Sequence, residues 1–339
     1  MPTVSSILSD FSTLSTTEQN EVKERLLHLP VASGSLNEFV ALNRFADGRE
    51  CVHCHGRSVV RYGHDRKGRQ RYLCRDCGKT FVATSNSIVA STKKDITVWE
   101  KFIDCMLNGF PLRKTASTCG IHRNTAFYWR HKVLDALQTM ASKVELEGII
   151  EADEAFFDVS YKGQKVLPRL ARHRGKSSKK RGLSSDKVCV PCAVNRTGLS
   201  IATVSNLAVV KIAGLRAVLG GRIKSGSTLV TDEAKAYRKI AKENSLSLKQ
   251  LKAGTPSRKG IFHLQHINSY HSKLKGFIYK FNGVSSKYLN NYLIWHNFVN
   301  YSKEEYQEKR RILMSFALTT YRTECVRDLS KRPVLPLLA

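Results

Sequence analysis

The fold is decided by GIIEADEAFF, residues 148–157, where the apolar pattern changes from a helical to an alternating period. Before this stretch, apolar residues recur every three or four positions from residue 97 to about residue 140. After it, the strand-like runs are 149–157, 188–194, 199–204 and 228–231, with a helix at 210–219 and further alternation of helix and strand. This order predicts an α/β layer that begins with three neighbouring strands.

Two carboxylates interrupt these apolar runs. Asp153 lies within the first strand, and Asp232 follows another strand 79 residues later. Carboxylates on neighbouring strands can share two Mg²⁺ ions, which activate the attacking oxygen and stabilise the leaving oxygen at phosphorus. An isolated aspartate at a strand end is usually a turn residue or a cap. The pair nevertheless predicts a metal-dependent catalytic site.

A predicted helix at 267–281 offers a third element. Asn268, His271 and Lys275 recur at i, i+3 and i+7 and therefore share one face. An imidazole or an amide can bind a divalent ion, and Mn²⁺ accepts nitrogen more readily than Mg²⁺. Lys275 would contact a phosphate. The alternative is a solvated polar face.

Four cysteines form two close pairs. Cys51-x-x-Cys54 and Cys74-x-x-Cys77 are separated by 19 residues. Two such pairs can hold one tetrahedral Zn²⁺, and a site closed by four protein ligands is structural. A segment this short cannot fold by burial alone, so metal binding would supply its folding free energy. The spacing predicts a zinc ribbon with one structural zinc.

The helical region after the cysteines has the spacing of a helix-turn-helix, with Gly120 in the turn and apolar residues inward. The candidate DNA contacts are His122, Arg123, Asn124, Phe127, Tyr128 and Arg130. The alternative is a helical linker with a solvated basic face.

The charge balance is strongly basic: 56 Lys and Arg against 28 Asp and Glu give +28 and a pI near 9.9. Such an excess favours nucleic acid as partner over a ribosomal-type role or a membrane surface. The segment 162–187 carries ten Lys or Arg, and Lys179, Lys180 and Arg181 are its candidate phosphate contacts. No apolar run approaches the ~20 residues of a membrane span, and no signal peptide is visible, so we expect a cytoplasmic, nucleoid-associated protein.

Short helices are predicted before the cysteines, where Thr16 with Gln19 and Ser35 with Glu38 form capping boxes. The predicted fold is thus multidomain α/β. Its domains are an N-terminal helical segment (1–47), a zinc ribbon (48–90), a helix-turn-helix (91–145), a mixed β-sheet flanked by helices (146–300) and a C-terminal helical tail (301–339).

These motifs together resemble the insertion-sequence transposases of the DDE superfamily, in the branch with an N-terminal zinc ribbon. The match runs from about residue 30 to 300 and includes, besides the cysteine pairs, TAFYWR (125–130), IEADE (150–154), TDEA (231–234), NSYHSKLK (268–275) and GVSSKYLNNYL (283–293). The resemblance implies an RNase-H-like catalytic domain, Mg²⁺- or Mn²⁺-dependent cleavage at inverted-repeat ends of double-stranded DNA, and joining of 3′-hydroxyls to target DNA. It also implies that Asp153 and Asp232 are the first two acidic positions and that a homo-oligomer forms on DNA.

The chain departs from the general DDE pattern at its third acidic position, where His271 stands in place of Glu and Asn268 lies on the same face. Either residue can be the metal-proximal group, and we favour His271. Two other functions fit the motifs. One is a zinc-ribbon, helix-turn-helix regulator whose RNase-H-like domain is inactive, and the other is a nuclease or resolvase that hydrolyses without joining.

Overall fold

The computed structural model describes six stretches of the chain, residues 12–19, 35–170, 182–252, 258–302, 304–321 and 326–337. They belong to two compact units, Met1–Thr97 and Val98–Ala339. The predicted contacts Lys179, Lys180 and Arg181 lie outside the described residues, as does most of the first predicted helix. The domain boundary predicted after residue 145 falls within the second unit.

The first unit contains helix α1 (Leu36–Arg44), whose N-terminus is capped as the sequence predicts. Ser35 Oγ accepts a hydrogen bond from the backbone N–H of Glu38, and the Glu38 carboxylate accepts one from the backbone N–H of Ser35. The pair satisfies N–H groups that have no partner inside the helix. This box therefore fixes where α1 begins.

Three antiparallel strands follow, β1 (Val59–His64), β2 (Gln70–Cys74) and β3 (Thr80–Val82), with β2 in the middle. Tyr72 and Phe81 are buried, and their stacked rings have centroids 5.7 Å apart. Phe45 adds a third ring, 5.1 Å from that of Tyr72. A core this small contributes little stability by burial alone.

Three helices come next: α2 (Ile96–Leu107), which begins at the unit boundary, α3 (Leu112–Cys119) and α4 (Arg123–Ala141). Trp99 of α2 stacks on Trp129 of α4 with ring centroids 3.6 Å apart, and both rings are buried. Gly120 ends α3 at φ +59°, a left-handed conformation that favours glycine. The glycine turn and the inward-facing apolar residues are thus where the sequence predicts them.

A mixed sheet dominates the second unit. Its strands are β4 (Ile149–Asp158), β5 (Lys187–Asn195), β6 (Ser200–Ala202), β7 (Asn206–Leu207), β8 (Thr228–Thr231) and β9 (Ser247–Gln250). The order is β6-β5-β4-β8-β9, with β7 also paired to β5. β4, β5 and β6 are antiparallel, whereas β8 and β9 run parallel to β4 on its other side. The three neighbouring strands that the sequence predicts are confirmed, and β4 lies at their junction with the parallel pair.

Helices cover both faces of this sheet. Helices α5 (Ile212–Leu219) and α6 (Ala236–Glu243) pack on the face that carries Ile150 and Ala152. The opposite face carries Ala155 and packs against α7 (Gln265–Tyr279) and α8 (Leu289–Asn300), after the short ribbon of β10 (Arg258–Lys259) and β11 (Phe262–His263). Alternate residues of β4 therefore face different layers.

The helices before the sheet share a core with it. Trp295 of α8 donates to the carbonyl of Met106 at 2.8 Å, and Asn291 of α8 donates to the Asp135 carboxylate of α4 at 2.9 Å. Helices α9 (Tyr306–Ile312) and α10 (Val326–Lys331) complete the described chain. Within the described ranges, no helix combines the length and the hydropathy that spanning a membrane requires.

Candidate functional site

Asp153 and Asp232 stand level with each other near the middle of the sheet. Each paired residue of β4 lies opposite the residue 79 positions later in β8, as Ile149 lies opposite Thr228. The same offset, continued by two residues beyond the last pair, places Asp232 beside Asp153. The parallel register thus brings together the two carboxylates that the sequence singles out.

The electrostatics of Asp153 reflect this pairing. Burial raises the pKa of its carboxyl, and the negative charge of Asp232 adds to the rise. The backbone N–H of Glu154, which donates to Asp153 Oδ1 at 2.8 Å, and the charge of Lys275 both lower that pKa. Two carboxylates that repel each other in a partly buried place are stabilised by a divalent cation.

His271 on α7 faces this pair. Its Nδ1 lies 3.7 Å from Asp153 Oδ2, and its side chain is 11% exposed. Burial and the nearby charge of Lys275 lower the pKa of His271 to about 4, so the imidazole is neutral at pH 7. Its Nε2 is buried and has no hydrogen-bond partner in the described part of the chain. A neutral imidazole with an orphaned ring nitrogen beside Asp153, one member of the carboxylate pair, fits a divalent metal.

The other two candidates on α7 are exposed. Lys275, one turn after His271, lowers the pKa values of both His271 and Asp153 and therefore lies near the same cluster. Asn268, one turn before His271, presents its side chain to solvent. The predicted face is formed, and His271 is its buried member.

Glu154 is a further carboxylate next to Asp153 in the chain, and the sequence alone indicated no role for it. It lies on the opposite face of β4 from Asp153, where Tyr237 of α6 donates to it at 2.6 Å. Burial raises the pKa of Glu154 to about 7, and the charges of Asp153 and Asp232 add to this effect. The signal in the sequence is its place directly after Asp153.

A second cluster joins β4, the turn after β5 and the start of α7. Glu151 is 1% exposed, and its carboxylate accepts from the backbone N–H groups of His266 at 2.8 Å and Ile267 at 3.1 Å. Arg196 Nη2 lies 3.0 Å from Glu151 Oε1. The Nδ1 atoms of His266 and His263 lie 2.8 Å and 3.2 Å from the same oxygen. A buried carboxylate thus holds the first turn of α7 against β4.

The ligand atoms of Glu151, His263 and His266 lie within 4.8 Å of one another, close enough to hold a metal. The Arg196 guanidinium fills that place, because its Nη1 lies 2.7 Å from His263 Nε2 and 3.0 Å from His266 Nδ1. An always-charged group at the centre balances Glu151 and repels a second cation. The cluster is therefore an anchor for α7, and it sets the position of His271 against Asp153.

The four cysteines converge in the first unit. Cys51 Sγ lies 3.7 Å from Cys77 Sγ, Cys54 Sγ lies 3.6 Å from Cys74 Sγ, and all four sulfurs lie within 4.8 Å of one another. Sulfurs around a tetrahedral zinc at a Zn–S distance of about 2.3 Å are separated by about 3.8 Å. The donor set and its spacing therefore fit Zn²⁺.

Backbone geometry holds these sulfurs in place. Burial raises the pKa of the Cys51 thiol, but backbone N–H groups of Cys54 and His53 outweigh that effect and bring it down to about 7. Gly78 has φ +68°, which suits glycine. In the first pair it is His55 that takes the positive φ, and the Asp76 carboxylate occupies the space that a Cβ on Gly56 would fill. These turns aim the thiolates at one centre.

The predicted DNA contacts at the start of α4 are accessible. His122, Arg123 and Asn124 are exposed, and Tyr128 is half-buried. His122 also caps α4, because its Nδ1 accepts from the backbone N–H of Asn124 at 3.2 Å. The exposed end of α4 is basic and free to meet a surface of opposite charge.

The structure places two further candidates differently from the sequence analysis. Phe127 is half-buried, with its ring centroid 4.5 Å from that of His131 and 5.4 Å from that of Tyr288. Arg130 is 0% exposed, donates to the Phe110 carbonyl at 2.6 Å and lies over the Trp295 ring at 4.6 Å. Arg130 therefore stabilises the core in this conformation instead of reaching a phosphate.

The part of the chain that carries this site is similar to a known transposase domain. Residues 145–311 match the ISXO2-like transposase domain. A relative from Halobacterium salinarum, described as an uncharacterized protein in transposable element ISH50, is 26% identical over 253 residues, which cover 74% of this chain and 84% of the relative.

Two solved structures show weak similarity. A pre-cleavage Mos1 transpososome covers 65% of this chain and 79% of its own at 9% identity and a TM-score of 0.20. The Mos1 strand transfer complex covers 66% and 79% at 11% identity and a TM-score of 0.22. Scores this low support no argument about the fold. The match to the ISXO2-like transposase domain spans residues 145–311, which contain the carboxylate pair and His271.

Proposed function

We propose that this protein is a DNA transposase. It binds the inverted-repeat ends of an insertion sequence, cleaves them with divalent metal and joins the 3′-hydroxyls to target DNA. The observation that supports this most is Asp153 level with Asp232 on parallel strands, facing a neutral His271, inside a transposase-family domain. The sheet is RNase-H-like in this proposal, with three antiparallel strands followed by two parallel ones.

The chain's own residues have distinct roles in this reaction. Asp153 and Asp232 would hold Mg²⁺ or Mn²⁺, two ions in all, with His271 as the third metal-proximal residue. Metal bound there would supply the charge that activates the attacking oxygen and stabilises the leaving oxygen. Lys275, whose charge already acts on this cluster, contacts the phosphate and neutralises charge on it. Asn268 orients its neighbours from the exposed side of the same helix face.

The remaining parts of the chain supply DNA binding. The four-cysteine unit is a zinc ribbon with one structural Zn²⁺, and α2, α3 and α4 are a helix-turn-helix. Arg123 and Asn124 at the exposed start of α4 contact base edges or phosphates. Cleavage at two element ends requires their pairing, so the proposed active form is a homo-oligomer on DNA.

A strand-transfer assay tests the proposal. Labelled duplexes that end in the terminal repeats flanking the encoding gene are incubated with target DNA and Mg²⁺ or Mn²⁺, and joined products are separated by size. Asp153→Asn and Asp232→Asn should each lower joining at least about a thousandfold, because several kcal/mol of charge stabilisation is lost. Binding to the ends should persist.

Asp158→Asn is the matched control. This residue is on the same strand as Asp153 but pairs with Lys187 at 2.8 Å, outside the cluster, and its variant should join normally. Wild-type protein that binds the ends but never nicks them would contradict the proposal in favour of a regulator. Nicking without joined products would instead indicate a nuclease or resolvase.

A further inference from the structure

A basic cleft of about 670 Å³ opens in the second unit, between the α3–α4 turn region and the segment that follows α7. Arg113, Arg123, Lys162, Lys280 and Lys287 line it, together with the buried Arg130. Among the residues that the structure describes, none of those lining the cleft is acidic. Cations with no counter-charge in the lining repel one another unless an anion is present.

These charges are not neutralised elsewhere in the part of the chain that the structure describes. None of the five pairs with a carboxylate there within 4.0 Å. Lys162 Nζ donates to the carbonyls of Asn282 and Gly283, each at 2.9 Å, and Lys287 Nζ donates to the carbonyl of Ser330 at 2.8 Å. Neutral carbonyls fix these ammonium groups in place but leave their charge available.

Aromatic rings lie among the cations. Phe127 and Tyr288 line the cleft, both half-buried and edge to face, and the Tyr288 hydroxyl donates to the carbonyl of Leu329 at 3.2 Å. Cationic grooves with interleaved aromatic rings are the usual architecture for single-stranded nucleic acid, because every base has a face that can stack. This lining offers cations that can contact the phosphates of a strand and aromatic rings on which a base can stack.

The size of the cleft indicates whether it can hold double-stranded or single-stranded DNA. About 670 Å³ lies within the range of pockets that enclose a small molecule, roughly 300–1,000 Å³. A whole double helix, with a major groove alone about 12 Å wide, cannot enter such a space. We propose that this cleft binds unpaired nucleotides of a DNA strand, with phosphates on Arg113 and the three lysines and a base against Tyr288 and Phe127.

The cleft is close to the proposed catalytic site along α7. Lys280 follows His271 by nine positions, which is about 13 Å along the axis at a helical rise of about 1.5 Å per residue. That distance corresponds to about four nucleotides at a spacing of about 3.4 Å along one strand. The role of the cleft in transposition rests on the proposed function: it holds the strand near the cleavage point in an unpaired state.

Fluorescence anisotropy with a labelled 15-nucleotide oligothymidylate and a labelled 15-base-pair duplex tests the proposal, in buffer without added divalent metal. Arg113→Ala with Lys280→Ala should lower the slope of log K against log salt by about 1.4 for the single strand, about 0.7 for each lost contact. The control is Lys239→Ala with Lys242→Ala, which removes the same charge from exposed positions on α6 outside the cleft. This control should leave the slope unchanged.

A second pair of variants tests stacking. Tyr288→Ala should weaken single-strand binding about fivefold to a hundredfold, whereas Tyr288→Phe, which keeps the ring, should bind nearly as the wild type does. Far-UV circular dichroism and thermal unfolding verify that each variant is folded.

Equal losses on the duplex, unchanged single-strand affinity in the cleft variants, or identical behaviour of Tyr288→Ala and Tyr288→Phe would each overturn the proposal. The assay needs no catalytic metal and no joining. A protein that fails to join DNA can still show single-strand binding in the cleft, and a joining protein can lack it.

Discussion

Replacing Glu151 by Gln should loosen helix α7 and weaken the metal site that α7 supports. The carboxylate is 1% exposed, receives two backbone N–H groups of α7 and lies 3.0 Å from the Arg196 guanidinium. Gln retains an oxygen for the N–H groups but removes the charge that balances Arg196. Replacement of Glu151 by Ala removes the charge and also the oxygen that accepts from the N–H groups.

The expected losses in the free energy of unfolding are estimated from the burial of Glu151 and Arg196. Removing one partner of a buried ion pair costs about 3–5 kcal/mol. Arg196 is 28% exposed, so water offsets part of that loss. We therefore expect Glu151→Gln to lower the free energy of unfolding by about 2 kcal/mol. Glu151→Ala should lower it by about 4 kcal/mol, because two N–H groups also lose their acceptor at about 1–3 kcal/mol each.

Urea unfolding at pH 7 measures these losses, and a Mn²⁺ titration of strand joining measures the effect on the site. Groups that orient metal ligands typically contribute tenfold to a hundredfold in metal affinity, so the half-saturating Mn²⁺ concentration should rise by at least about tenfold in Glu151→Gln. Glu243→Gln is the control, because Glu243 forms an exposed pair with Arg216 and should contribute less than about 1 kcal/mol. Glu151→Gln as stable as this control, with an unchanged Mn²⁺ requirement, would refute the anchoring role of Glu151.

Three further outcomes are expected. Metal analysis of reduced, freshly purified protein should find about one zinc per chain, and Cys74→Ser should unfold the first unit while sparing the second; protein without zinc would contradict the ribbon. His271→Ala should remove most joining and His271→Glu should retain some with Mg²⁺, whereas Asn268→Ala should be milder; the reverse order in folded variants would assign the metal to Asn268. Burial, together with nearby positive charges, lowers the pKa of His131 to about 3, and it lowers that of His296 to about 4 against the opposing hydrogen bond of Asn297. Both imidazoles are thus neutral in the folded state, so the stability they contribute is complete above pH 6.5 and is lost as pH falls toward 4. Urea unfolding at pH 5 should show a loss of about 2 kcal/mol for each histidine relative to pH 7, and an unchanged free energy would contradict their burial as neutral groups.

Local patterns predict much of this fold because the relevant interactions are close in the sequence. The Ser35–Glu38 capping box, the glycine turn at Gly120 and the alternation along β4 each depend on a few neighbouring residues. To predict that Asp153 lies beside Asp232, one must also assume that their strands are neighbours in the sheet. The register that makes them level is visible only in the structure.

The sequence could not show which polar residues would be buried. Charged residues are almost never fully buried without partners, so Arg130 was expected at the surface, and nothing in the sequence indicated that the neighbouring His131 is buried. They are buried because Trp295 and Asn291, some 160 residues later, supply a ring and an amide for them. The Glu151–Arg196 contact spans 45 residues and likewise has no local signature. The basic cleft escaped prediction for the same reason, since its walls come from distant segments.

The way helix α4 is held has a consequence for the distance along the duplex between two positions, the sequence proposed to be bound and the bond proposed to be cut. Its first residues are exposed, while its middle is fixed to α8 through Arg130, His131 and Asp135. Residues 123–158, all described by the structure, include no long loop between the end proposed to read DNA and the strand that carries Asp153. One residue inserted before Arg130 would advance the exposed end of the helix by about 1.5 Å and turn it by about 100°. If the proposed function holds, such an insertion should shift the distance between the sequence that is bound and the bond that is cut.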